Sequence, residues 1–165
     1  CLLEQNRNPD SILYQKVNTG RIGISGHSQG GVGVFNAVNE QKQRNLYTCA
    51  VSLSPTETAL AEALGMHYDP HKTSIPTMIL AAAEKDVISP DGVRELYDAI
   101  DAPKVMALRS DADHGKMLYY GDGYVTAWFL YWLCGQKEAE KVFAGENPEL
   151  IHNRFYQQQH ITWPF

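Results

Sequence analysis

Three side chains far apart in the chain have the types that acyl transfer requires: a hydroxyl, an imidazole and a carboxylate. The hydroxyl is Ser28, in Gly26-His27-Ser28-Gln29-Gly30. This is the G-x-S-x-G pattern of a nucleophile elbow, a strand-to-helix turn tight enough to hold its serine in a strained backbone conformation. An apolar strand signal precedes it (Ile22, Ile24) and an amphipathic run follows it (Val32, Val34, Phe35, Val38), as such a turn needs. Gly26 and Gly30 flank the turn, where any Cβ is expected to collide with the neighbouring strand or the helix start. A helix opening at Gln29 would set its unpaired N–H groups and positive dipole end beside the serine oxygen.

A serine hydroxyl is a weak nucleophile until a base takes its proton, and an acid must hold that base in the right tautomer. Six histidines compete for the base role. His27 is read as a packing residue of the turn. His67 and His71 share a helical spacing that Pro70 interrupts, so a metal pair is not expected there, and His152 and His160 lie in the tail. His114 alone follows a strand end and is followed by a glycine, Gly115. For the acid, Asp86 sits in Glu84-Lys85-Asp86-Val87-Ile88-Ser89-Pro90, just after a strand. Glu84, Asp91 and Asp113 are its rivals: Glu84 can belong to the strand, Asp91 suits a helix N-cap, and Asp113 is the chain neighbour of His114.

The elements that must position these groups alternate strand and helix. Strands are expected over 21–25, 48–53, 77–83 and 104–108. Helices are expected over 1–5 (a last turn), 29–41, 57–64, 91–100, 123–134 (stopped by Gly135) and 137–144, and the tail from Gly145 to Phe165 shows little periodicity. Near-continuous apolar strands suit a parallel sheet covered on both faces. In such sheets reactive groups gather at the carboxyl ends of the strands, and Ser28, Asp86 and His114 each follow one. The expected fold class is therefore α/β, a single domain over 1–165 with a parallel sheet of about four strands flanked by helices.

Bulk properties narrow the partners. The 165 residues are 44% hydrophobic and 20% charged, with a formal net charge of −5 and no basic cluster, so nucleic acid is not expected. The longest apolar run, 127–134, is far short of the roughly 20 residues of a membrane span. Three cysteines with no metal-type spacing imply neither a disulfide framework nor zinc. Cys49 and Cys134 read as small core residues, and the compartment is left undecided. No metal or organic cofactor is implied. The chain begins at Cys1 without Met and reads as the interior of a larger protein.

The sequence resembles the carboxyl-terminal half of an α/β-hydrolase, most closely the dienelactone-hydrolase-like branch with the cutinase-type polyester hydrolases. The resemblance rests on Gly26-His27-Ser28-Gln29-Gly30-Gly31, on the stretch 75–90 and on Asp113-His114-Gly115, with the run from Thr126 to Pro148 similar to that branch's last helices. It implies Ser28 as nucleophile, His114 as general base and then acid, Asp86 orienting the imidazole, and the Gln29 backbone N–H as one oxyanion donor. Thr56 stands where polyester-cleaving relatives carry an aromatic platform; Thr56, Val87 and Ile88 are the expected substrate contacts. The implied activity is that of a serine carboxylester hydrolase acting on a small or medium ester. An amidase or peptidase of the same fold is the alternative. The family's strands before the elbow are expected to be missing here, along with the second oxyanion donor. This opens a further alternative: a catalytically incomplete fragment that self-associates or needs its amino-terminal half or a partner chain.

Overall fold

The computed structural model describes residues 2–40 and 46–164. Its order is α1 (Leu2–Arg7), β1 (Ile22–His27), α2 (Gln29–Asn39), β2 (Tyr47–Leu53), α3 (Thr58–Ala63), a 3-10 turn (Pro70–Lys72), β3 (Thr77–Ala82), α4 (Pro90–Ala99), β4 (Lys104–Arg109), α5 (Met117–Tyr120), α6 (Asp122–Cys134), α7 (Lys137–Glu140), α8 (Glu149–His152) and β5 (Tyr156–Thr162). The strands form one sheet in the order β1-β2-β3-β4-β5, parallel except for β5, which runs antiparallel to β4. The fold is α/β, as the strand–helix alternation predicts.

Side-chain alternation sorts the core into two layers. Val51, Leu53, Met78, Leu80, Val105 and Ala107 face Met117 of α5, Trp128 of α6 and Phe143. Ile79, Ala81, Met106 and Leu108 face the other way, against Phe35 of α2 and Val93 and Leu96 of α4. Because β3 lies between covered layers, every one of its residues is buried, which is why its sequence runs apolar without a break.

Several expectations need correction. The sheet has five strands where about four parallel ones were expected: the tail beyond Gly145 contains α8 and β5. Strand β5 escapes a pattern reading because its centre is Gln157-Gln158-Gln159-His160 on an exposed edge. Its pairing with β4 also shifts register between Met106 and Leu108, and Gln158 takes φ 50 there, the mark of a bulge. The helix expected over 137–144 ends at Glu140. The N-cap of α4 is Ser89, whose hydroxyl accepts from Gly92 N at 3.0 Å, with Pro90 in the first turn; Asp91 merely lies inside that turn. Cys134 is exposed at the end of α6, whereas Cys49 is buried, and burial pushes the Cys49 thiol up to about 12. Gly135 stops α6 in the left-handed conformation at φ 67. Cys1 of the expected first helix, Gln41 at the expected end of the elbow helix and Phe165 lie outside the described residues.

Candidate active site

Four non-glycine residues with positive φ follow the four parallel strands: Ser28 (φ 60) after β1, Ser54 (φ 39) after β2, Lys85 (φ 55) after β3 and Asp111 (φ 56) after β4. Such conformations cost about 1–3 kcal/mol each and persist where surrounding contacts enforce them. Their concentration at one rim of the sheet marks where the chain is under the tightest control.

At β1 the turn is enforced by Gly26. A Cβ there would run into the carbonyl group of Gly30, so only glycine lets the strand pass the helix start. Gly30 itself would meet nothing within 4 Å, which corrects the expectation that a Cβ collides at that position. The second close approach is at Gly31, where a Cβ would sit 2.9 Å from Ser52 Oγ and 3.0 Å from Pro55 Cα. The Ser28 N–H donates to Leu53 O at 3.0 Å, and Ser28 O receives Gly31 N and Val32 N as the first bonds of α2. Among the described residues no acceptor takes the Gln29 N–H. No acidic side chain occupies the first turn of α2, so its positive end is not neutralised.

The carboxylate of Asp86 is the most tightly determined group at the rim. Its side chain is 1% exposed and accepts four hydrogen bonds. Oδ1 receives Val87 N at 2.7 Å and His114 Nδ1 at 2.8 Å; Oδ2 receives Ala82 N at 2.7 Å and Ser54 Oγ at 2.6 Å. An ionised carboxylate can only accept, so the proton of this pair belongs on His114 Nδ1. That leaves the Nε2 lone pair of His114 free to take a proton.

His114 is also fixed through its backbone. Its N–H donates to Lys85 O at 3.2 Å, tying the two loops together. Its carbonyl accepts from His27 Nε2 at 2.8 Å, and the two rings lie 4.4 Å apart, tilted by 38°. His27 is the neighbour of Ser28, so this clamp sets the imidazole of His114 beside the elbow. No hydrogen bond joins Ser28 Oγ to His114 Nε2 in this state. Contacts of this kind are often loose before substrate binds.

The structure thus brings Asp86 and His114 together directly; Ser28 is the chain neighbour of His27, which holds the His114 carbonyl, and its hydroxyl bonds to neither of them. Among the substrate candidates Val87 is 37% exposed, whereas Thr56 (4%) and Ile88 (2%) are buried in the scaffold and offer almost no surface. Of the rival acids, Glu84 is exposed and Asp113 turns to Lys116. The Lys116 backbone N–H, 3.0 Å from Asp113 Oδ1, leads the effects that hold that carboxyl below its usual range. Of the other histidines, His67 gives its carbonyl to Asn36 and His71 its backbone N–H to Asp69, His152 is exposed at the end of α8, and His160 lies beside Arg94 and Tyr97. No cluster of His, Cys, Asp or Glu among the described residues could hold a metal ion.

Two positioning groups escape the sequence reading. The sequence presents His27 as turn packing, and only the return of the 110–116 segment gives its ring nitrogen a carbonyl to hold. Ser54 carries no motif; its single signal is its place at a strand's carboxyl end, where Ser28 and Asp86 also stand. Compared with known proteins, the chain matches no family model, and no curated protein matches it at a significant level.

Proposed function

We propose that this chain is a serine carboxylester hydrolase built on an α/β-hydrolase framework, working through an acyl-enzyme on Ser28. The observation that carries the reading is the Asp86–His114 couple: a carboxylate with four donors holds Nδ1–H of an imidazole that is itself clamped beside a strained serine. His114 Nε2 takes the Ser28 proton as Oγ attacks the ester carbonyl. The oxyanion of the tetrahedral intermediate develops toward the Gln29 N–H at the start of α2. His114 then gives its proton to the departing alcohol, and water enters by the same route in reverse to free the acid. Asp86 keeps the imidazole in the productive tautomer throughout, and Val87 supplies exposed apolar surface at the mouth.

A fluorophosphonate probe tests this. It should label wild type on Ser28 and leave Ser28→Ala unlabelled; absence of labelling on the folded wild-type chain would overturn the reading. Rates on matched acyl esters and acyl anilides then divide esterase from amidase. The unmade Ser28–His114 hydrogen bond favours one second reading, a chain that needs a partner to complete its site. In that case labelling appears only after a complementing chain is added.

A further inference from the structure

A cavity of about 360 Å³ opens where the end of β4 meets α6 and the segment around α8, and none of Ser28, Asp86 and His114 lines it. Its chemistry is set by two unlike charges. Arg109, the last residue of β4, has its guanidinium carbon 5.2 Å from the ring centre of Tyr120, 4.8 Å from that of Phe155 and 5.1 Å from that of Tyr156. Rings cover the faces of a guanidinium and leave its in-plane N–H edge as the outlet for hydrogen bonding. That edge is only partly satisfied: the Tyr156 hydroxyl contributes a side-chain hydrogen bond to the guanidinium, Arg109 Nε is buried with no partner, and no carboxylate among the described residues forms an ion pair with Arg109.

Glu149 is the one acidic residue lining the same cavity. Its Oε1 accepts from Tyr124 Oη at 3.2 Å and Asn153 Nδ2 at 3.5 Å, and Asn153 Nδ2 also reaches Tyr124 Oη at 2.6 Å. This network fixes the carboxylate on its own side, out of reach of Arg109. Burial pushes the hydroxyls of Tyr124 and Tyr156 above the ordinary phenol range, so both rings are neutral walls at physiological pH. Val142 completes an apolar side.

A cation and an anion facing one cavity without touching select their ligand. A simple anion meets Arg109 but is repelled by Glu149; a simple cation meets Glu149 and the aromatic rings but is repelled by Arg109. A molecule carrying both charges satisfies both walls, and the cavity lies at the lower end of the usual size for small-ligand sites. We propose that this cavity binds a free α-amino acid with an apolar side chain, its carboxylate on the N–H edge of Arg109 and its ammonium on Glu149 and the neighbouring tyrosine rings. The site is separate from the proposed hydrolytic centre and does not depend on it.

Calorimetric titration of the full chain with three probes tests the assignment: L-leucine, 4-methylpentanoate (leucine without its amino group) and 3-methylbutylamine (leucine without its carboxylate). L-leucine should bind saturably at millimolar concentration, and each singly charged analogue at least about tenfold more weakly. Arg109→Gln should remove leucine binding. Glu149 is exposed, so Glu149→Gln should keep its fold and lose the preference for leucine over 4-methylpentanoate. Leucine failing to bind folded wild type, an analogue binding as well as leucine, or a preference that survives Glu149→Gln would each overturn the proposal.

Discussion

At the scale of single residues, the site depends on how completely Asp86 is tied down. Its four donors come from three different strand ends and loops, so removing one loosens the carboxylate without freeing it. Ser54→Ala deletes a 2.6 Å bond to a buried carboxylate. We expect a stability loss of about 1–3 kcal/mol, read from urea unfolding, and a fall in kcat with little change in KM. Under the proposed mechanism Asp86→Asn is far more damaging, because an amide can hold the imidazole in the wrong tautomer; kcat should fall by about 10⁴-fold, the loss the same change causes in a serine-protease triad. His27→Phe keeps a ring against His114 but removes the Nε2 donor to its carbonyl. Its kcat should drop by about tenfold while the unfolding midpoint stays close to wild type; an unchanged kcat would remove His27 from the positioning machinery.

At the scale of elements, the elbow makes opposite predictions for two glycines four residues apart. Gly26 passes under the Gly30 carbonyl, so Gly26→Ala forces the strand and helix apart. It should cost several kcal/mol and abolish activity. Gly30 lies in α2 with open space where a Cβ would go. Gly30→Ala should leave stability unchanged or raise it by about 0.5–1 kcal/mol, through lower unfolded-state entropy and better helix propensity. Paired urea melts of the two variants check this. The motif pattern treats the two glycines alike. The distinction is set by which backbone crosses over which, and that is decided in three dimensions.

At the scale of the whole molecule, four of the six non-glycine residues with positive φ among the described residues stand at one rim of the sheet, and the plainest packing lies at its centre. Cys49 reports on that centre: it is fully buried, and burial raises its thiol to about 12. Iodoacetamide at pH 8 should therefore modify Cys134 in the native protein and leave Cys49 untouched until global unfolding. Peptide mass mapping reads the difference. The sequence also shows what kind of knowledge each level holds. Buried parallel strands such as β3 declare themselves because both faces demand apolar residues, and Ser28, Asp86 and His114 stand out as candidates by following strand ends. Strand β5 does not, since an exposed antiparallel edge tolerates a run of glutamines and a bulge. Nor do the His27 clamp and the Ser54 bond. Both are made between segments tens of residues apart, with ordinary residue types whose roles exist only once the loops converge. The buried state of Thr56 and Ile88 is hidden for a related reason, because position after a strand does not say whether a side chain points to solvent or to the core.

In the proposed mechanism Ser28, His114 and Asp86 act as one unit in acyl transfer. The most direct test is rapid acid quenching of the protein during turnover of an activated ester, followed by mass mapping of the adduct. In wild type the acyl mass should appear on the peptide that carries Ser28. Ser28→Ala should show no such mass, and His114→Ala a strongly reduced amount. Ester turnover that persists in Ser28→Ala, or an acyl group resident on another side chain, would contradict that mechanism.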